Sequence, residues 1–367
     1  MNADLSAPRP FRLIAERSGP RFLGLPVAER NRRVARRGGA VGEAATATTP
    51  TLEVPSDVAI TPALIRALPP PVGVTELVWH PDRPPLVWRS ADARASEVPR
   101  VVRLPDDAVL DVSTGATRHQ SAWRLLRSSG KPTDGWLSRH LHRKVSRVFS
   151  YVFLRLGLSA NLATLLTFGI GATGAWLMAQ TSHLTMIGGA LLYWCSSMAD
   201  GIDGEVARLT LSDTPFGEQL DTGVDQATHL LTLAGAGIGW WRQGIGAAGL
   251  ALAVAVASGL PLALLWAMAM IRRAQGSRQF FVATKPIEIA VARAARNTGA
   301  PPLRIAAATF VLFRRETVSL TIFLVALATG QRAVYLAIVA AGLGIVAVTF
   351  LIYLPLLNET LQSAVDP

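Results

Sequence analysis

Between Leu162 and Leu357 the chain runs through six long apolar stretches, Leu162–Ala179, Leu184–Ala199, Ala227–Trp241, Ile245–Ile271, Thr317–Gly330 and Ala333–Leu357. Each is near the length that about 30 Å of hydrocarbon demands of a helix. Only helices or closed barrels satisfy their own backbone in lipid, so this pattern predicts six membrane helices. Three stretches are short and extend into flanking polar residues wherever those face a protein interior or a water-filled cavity. Composition agrees: 50% of the 367 residues are hydrophobic and 17% charged, against about 25% charged in soluble domains. A disordered or collagen-like chain is excluded.

The net charge of +11 suits either a nucleic-acid binder or a membrane protein with cationic loops. Its distribution decides. Arg272–Arg315 carries nine Lys/Arg, whereas the connections on the opposite side carry Arg242 and Arg332. The positive-inside rule then places both termini in the cytoplasm of a cell with the protein in its inner membrane, and no nucleic-acid partner is needed. No basic stretch followed by a short apolar core comes after Met1, so no leader is expected and the front half stays cytoplasmic. The lone Cys195 lies in an apolar run and reads as core packing rather than redox chemistry.

Ahead of the first stretch, Trp136, Leu137, Leu141, Val145, Val148, Phe149, Val152, Phe153 and Leu156 recur at helical spacing. Arg139, His142, Arg143, Lys144, Ser146, Arg147 and Ser150 fill the other positions. The segment reads as an amphipathic helix in the membrane interface with its cations toward anionic headgroups. A soluble helix packed on the front domain is the alternative.

From Gly135 to Ile287 there are seven acidic residues, all between Asp200 and Asp225. A carboxylate at membrane depth costs about 2.5–3.5 kcal/mol on insertion scales, so such a cluster needs a cation or water. Arg208 alone cannot balance it; a divalent metal can. On helices, Asp200 and Asp203 lie one turn apart, and Gly217, Asp221 and Asp225 climb one face in steps of four. Leu209–Phe216, with Ser212, Asp213 and Pro215, is a turn short enough to hold two such helix ends together. Oxygen donors at this density suit Mg²⁺ or Mn²⁺ rather than zinc. Small Gly204 and Ala207 leave room for a flat polar group against the backbone.

The spacing D-x2-D-G-x2-A-R-x8-G-x3-D-x3-D resembles the signature of the CDP-alcohol phosphotransferase family, with every fixed position present. The resemblance implies six membrane helices around a cytoplasm-facing polar cavity. It implies transfer of a phospho-alcohol, phosphatidyl or inositol-phosphate in type, from a CDP-alcohol donor to an alcohol acceptor, with release of CMP. By the matching positions, Asp200, Asp203, Asp221 and Asp225 would hold one or two divalent ions, with Asp225 also the catalytic base. Gly204, Ala207, Arg208 and Gly217 would line the nucleotide. Asn161-Leu-Ala-Thr164 is similar to the P-N-x-x-T that opens the first span in this family, with Ala160 in place of proline, and suggests nucleotide contact at Asn161 and Thr164. Lys131–Arg139 resembles the approach to the membrane in bifunctional inositol-phosphate cytidylyltransferase/transferases. A homodimer stays open. His229, one turn beyond Asp225, reads as a hydrogen-bonded helix histidine rather than a ligand. Arg314 and Arg315, at the entrance to the fifth stretch, are candidates to hold an anionic acceptor, with a purely topological role as the alternative.

In front, Thr75–Trp79, Leu86–Arg89, Val101–Leu104 and Ala108–Val112 read as strands and His119–Arg127 as a helix, a small α/β module. Phe11–Ala40 resembles the opening of a sugar-phosphate nucleotidyltransferase but lacks its Ala-Gly-x-Gly phosphate loop. A shrunken, inactive relative and an unrelated appendage both remain open. Arg30–Arg37 and Ala44–Pro50 have disorder-like composition. The expected architecture is therefore a basic, partly disordered segment (1–50), a small cytoplasmic α/β domain (51–129), an interfacial amphipathic helix (130–158) and an all-α six-helix integral membrane domain (159–360). A transporter and an inactive membrane scaffold are the competing functions; the first needs no Gly/Ala/Arg pattern beside its carboxylates, and the intact carboxylate set argues against the second.

Overall fold

The computed structural model describes residues 11–15, 19–40, 49–94, 97–130 and 134–245, together with 289, 291–299, 301, 304, 307–308, 315–332, 334 and 336–338. The chain divides into two compact units.

The first unit comprises Met1–Gly130, Arg147–Ala160 and Ile202–Thr214. Its centre is a five-stranded sheet in the order β1 (Arg12–Ala15), β4 (Thr51–Val54), β7 (Leu86–Arg89), β6 (Val74–Val78), β8 (Arg100–Arg103). The two outer pairs, β1 with β4 and β6 with β8, are parallel, and the inner pairs are antiparallel. Strands β2 (Arg21–Phe22) and β3 (Leu25–Pro26) form a short hairpin, and β5 (Val58–Ile60) pairs with β9 (Val109–Asp111). Period-two alternation explains the sheet: Leu52 and Val54 of β4 point into a core shared with Leu77, Leu86 and Trp88, while Glu53 points out to Arg89 at 3.2 Å. Helix α2 (Pro62–Ala67) is started by Thr61, whose hydroxyl accepts from the Ala63 N–H, and α3 (Gly115–Ser128) by a Thr114/Thr117 capping box.

Helix α1 (Val27–Arg37) covers the sheet with Val34 and Ala35. It also buries two polar residues. Asn31 donates to the Val58 carbonyl at 2.8 Å and accepts from the Ile60 N–H at 3.0 Å, and Arg30 donates to the Ile60 carbonyl at 2.7 Å. Burial lowers the Arg30 guanidinium to about 10. The Arg30–Arg37 stretch, disorder-like by composition, is thus an ordered helix whose polar residues bond the edge of β5.

The second unit comprises Lys131–Ser146, Asn161–Gly201 and Pro215–Pro367. Four of the six predicted spans coincide with helices: α5 (Ala160–Met178), α6 (His183–Ala199), the C-terminal part of α8 (Pro215–Trp240), and α9 (Arg315–Thr329). The predicted spans at Ile245–Ile271 and Ala333–Leu357 lie almost wholly outside the described residues, as do most of Arg272–Arg315 and Ala44–Pro50. Among the described residues one helix, Ala160–Met178, is by itself long and apolar enough to cross a membrane.

Helix α5 turns small and polar residues inward and large apolar ones outward. Helix α5 buries Thr164, Thr167, Gly171, Gly174 and Met178, a seam at three- and four-residue steps, and exposes Leu162, Leu165, Leu166 and Trp176. Small residues permit close approach: a Cβ on Gly189 of α6 would stand 2.5 Å from the Gly174 carbonyl oxygen. Met186, Ala190 and Tyr193 of α6, Leu233 and Ala236 of α8, and Ile322 and Ala326 of α9 form one buried cluster. Cys195 is a free, partly buried thiol on α6.

The amphipathic segment is a π-helical turn, Ser138–His142, followed by α4 (Arg143–Leu156). Its apolar face is exposed at Trp136, Leu141, Val148, Phe149, Val152 and Leu156. Its polar stripe is partly buried, contrary to the expectation that every cation there faces headgroups. His142, Arg143, Ser146 and Ser150 are all buried, whereas Arg139 and Lys144 remain exposed.

Candidate active site

The acidic stretch begins where α6 stops. Asp200 is the C-cap of α6, its N–H bonded to the Ser196 carbonyl at 3.0 Å, and α7 (Gly201–Thr210) starts at the next residue. Pro215 opens α8, its fixed φ suited to a first helical turn, and Gly217, Asp221 and Asp225 follow at four-residue steps. Carboxylate oxygens of Asp200, Asp221 and Asp225 all lie within 4.8 Å of one another, and each residue is half-buried. Like charges this close favour a cation among them. An all-oxygen donor set of half-buried carboxylates fits a hard divalent ion such as Mg²⁺ or Mn²⁺.

The other residues singled out by the signature fall as follows. Asp203 is buried in α7 and belongs to the first compact unit, as do Gly204, Ala207 and Arg208. Arg208 folds back over the helix that carries it, since a Cβ on Gly204 would lie 2.9 Å from its Nη1, and Nη2 donates to the Ser129 carbonyl at 3.3 Å. The glycine at that position is what lets the guanidinium lie along the backbone. Asn161 is exposed in the first turn of α5 and Thr164 is buried one turn later. His229 is hydrogen-bonded through Nδ1 to the Tyr193 hydroxyl. Arg314 lies outside the described residues, and Arg315 is the first residue of α9.

Two polar contacts escape a reading of the sequence. Arg143 is paired with Asp134 through Nε at 2.9 Å and Nη2 at 3.0 Å, with 9% of each side chain exposed. Its Nη1 lies 3.0 Å from where a Cβ on Gly201, the residue after Asp200, would be. The Ser150 hydroxyl donates to Glu205 Oε2 at 2.7 Å, both residues being fully buried. The available signal was the stripe His142, Ser146, Ser150 at four-residue steps, polar residues on a face that headgroups do not require.

Three half-buried carboxylates gathered where α6 ends and on the first turns of α8 form a cluster able to hold a divalent cation. A family profile for CDP-alcohol phosphatidyltransferase matches residues 158–364, more than half of the chain, and the chain belongs to that family. It is 32% identical over 139 residues to a bifunctional IPC transferase and DIPP synthase of Rubrobacter xylanophilus, covering 38% of this chain and 31% of that protein. The protein of the same name from Archaeoglobus fulgidus is 32% identical over 145 residues, 38% of this chain and 29% of the relative. A phosphatidylinositol phosphate synthase of Mycobacteroides abscessus is 29% identical over 108 residues, 29% of this chain and 47% of the relative. The chain thus spans about a third of the length of the bifunctional relatives and about half of the synthase.

Proposed function

We propose that the chain is a membrane transferase that moves a phospho-alcohol group from a CDP-alcohol to an acceptor alcohol and releases CMP, in phospholipid or related biosynthesis. The observation that carries this reading is the convergence of Asp200, Asp221 and Asp225 to within 4.8 Å, at three of the four acidic positions of the family signature. Asp203 completes the ligand set. Mg²⁺ or Mn²⁺ bound there would neutralise the pyrophosphate and the charge that develops during transfer. Asp225 accepts the proton of the acceptor hydroxyl while that oxygen bonds to the phosphorus bearing the donor alcohol and the bond from that phosphorus to the CMP oxygen breaks. Gly204, Ala207, Arg208 and Gly217, with Asn161 and Thr164, hold the nucleotide; the fold of Arg208 over Gly204 supports a cation placed for phosphate oxygens. Arg314 and Arg315 hold an anionic acceptor, for which the name of the Mycobacteroides relative favours an inositol phosphate.

The same reading embeds the helical region in the cell membrane as six spans, with both termini and the active site cytoplasmic. The outward leucines of α5 and the nine cations of Arg272–Arg315 support it. Helix α4 lies in the interface, supported by its exposed Val148, Phe149, Val152 and Leu156. The front α/β unit is a reduced nucleotidyltransferase-like module without its phosphate loop. Membranes supplied with labelled CDP-diacylglycerol or CDP-inositol, each with glycerol phosphate or inositol phosphate, test the function. CMP release with one pair is the expected outcome, and none with any pair removes the assignment.

A further inference from the structure

The turn between the two halves of the signature is held by the front of the chain. Helix α7 ends in a Schellman motif: the Ser212 N–H bonds to the Ala207 carbonyl at 2.9 Å and the Leu211 N–H to the Arg208 carbonyl at 3.4 Å. The residue in the left-handed position of that motif is Leu211, at φ 55°, where glycine is usual. A leucine persists in such a conformation only where its surroundings over-determine it. Here the side chain packs on the front-domain core of Phe11, Leu52 and Trp88. Two arginines of α1 grip the backbone and side chain on either side: Arg33, itself held by Glu29 at 3.0 Å, donates to the Thr210 carbonyl at 2.9 Å, and Arg37 pairs with Asp213. Thr210, Leu211 and Asp213 are therefore each engaged from the front of the chain, within one compact unit.

We infer that the front α/β unit is a clamp for the transferase signature, with Leu211 its plug and Arg33 and Arg37 its grips, and that these are positioning residues for the metal–nucleotide site. Residues 211–214 are the covalent link between α7, which carries Asp203 and Arg208, and Pro215 at the start of α8, which carries Asp221 and Asp225. A turn held at Thr210, Leu211 and Asp213 constrains the stretch of chain that leads into α8. This gives the front domain a function without any activity of its own. The inference rests on the proposed function, because it takes the signature to bind metal and nucleotide.

The test is Mn²⁺ binding to the full-length protein in detergent in the presence of CDP, read by electron paramagnetic resonance. Leu211→Asp should weaken binding about tenfold or more, since a charge cannot occupy the apolar plug site, while Leu211→Met should bind like wild type. Arg37→Glu should weaken it about threefold, the scale of an exposed ion pair. Adding Asp213→Arg should restore binding to within about twofold, because the pair is re-formed with its charges exchanged. The exposed pair keeps the test decisive if Leu211→Asp fails to fold. Wild type that binds no Mn²⁺ with CDP removes the proposed function and the clamp with it. Wild type and all variants binding equally removes the clamp alone.

Discussion

Strand β4 and helix α5 differ in what they bury and what they expose. The strand turns Leu52 and Val54 inward and Glu53 outward; the helix turns Thr164, Thr167, Gly171 and Gly174 inward and Leu165, Leu166 and Trp176 outward. In the front unit water drives apolar area together, at about 25 cal/mol per Å² buried. In the helical unit the outward leucines gain nothing from meeting one another if their surroundings are lipid, so close packing of small residues and internal hydrogen bonds hold the helices together. Ser196 bonded to the Thr167 carbonyl at 3.1 Å is one such bond. The inward polarity that makes this packing possible also provides the setting in which carboxylates are tolerated. Site and packing are thus consequences of one inversion.

That contrast can be broken at chosen positions. The largest effect is expected from Gly189→Leu, whose Cβ would meet the Gly174 carbonyl oxygen at 2.5 Å and the Met178 backbone nitrogen at 2.9 Å. No monodisperse protein should be recovered after detergent extraction. Leu52→Ala, in a fully buried site of the front core, should cost about 2–5 kcal/mol as a lowered thermal midpoint of that unit. Outward positions separate the two regions most clearly. Leu165→Arg should cost about 2.5–3.5 kcal/mol on insertion scales and reduce membrane-inserted protein. Val101→Arg, at a comparably exposed position on β8, should change stability by no more than about 0.5 kcal/mol. Equal tolerance of the two arginines in a membrane-fractionation assay would return α5 to an aqueous setting.

The smallest effect concerns pH. Burial raises the Asp111 carboxyl, but hydrogen bonds from the Ser113 N–H and hydroxyl and from Arg83, together with the charge of Arg83, outweigh it and leave the group below its ordinary 3.8. A depressed native value means the stabilisation is fully present above 3.8 and is lost as pH falls through the lower native value. Acid unfolding of Asp111→Asn, followed below pH 4 by tryptophan fluorescence, should therefore show a shallower dependence than wild type. Identical slopes would leave Asp111 without a part in the acid transition.

Strands β6 to β9 and helix α3 were legible because alternation and turn residues act locally. The four helices α5, α6, α8 and α9 were legible because each covers a long apolar run of helical length with almost no charge in it. Helix α1 was not, since its arginine-rich composition resembles a disordered tail until Arg30 and Asn31 meet the backbone of β5, about thirty residues away. Carboxylate spacing on α8 foretold a shared face. By its place in the segment Arg143 reads as a headgroup cation, because its partner Asp134 lies outside the helical period that the sequence pattern displays. Leu211 left no trace at all, because a left-handed leucine is specified by its tertiary contacts and not by its neighbours in the chain.

The central claim is that Asp200, Asp221 and Asp225 form a divalent-metal site for transfer from a CDP-alcohol, with Asp225 as the base. The most direct measurement pairs CMP release with Mn²⁺ binding in wild type and Asp225→Asn, using the CDP-alcohol and acceptor that wild type accepts. Wild type should release CMP only with Mg²⁺ or Mn²⁺ and lose the activity in excess EDTA, and Asp225→Asn should still bind Mn²⁺ and CDP while releasing no CMP. Full turnover by wild type in chelator, or near-normal turnover by Asp225→Asn, would contradict the account.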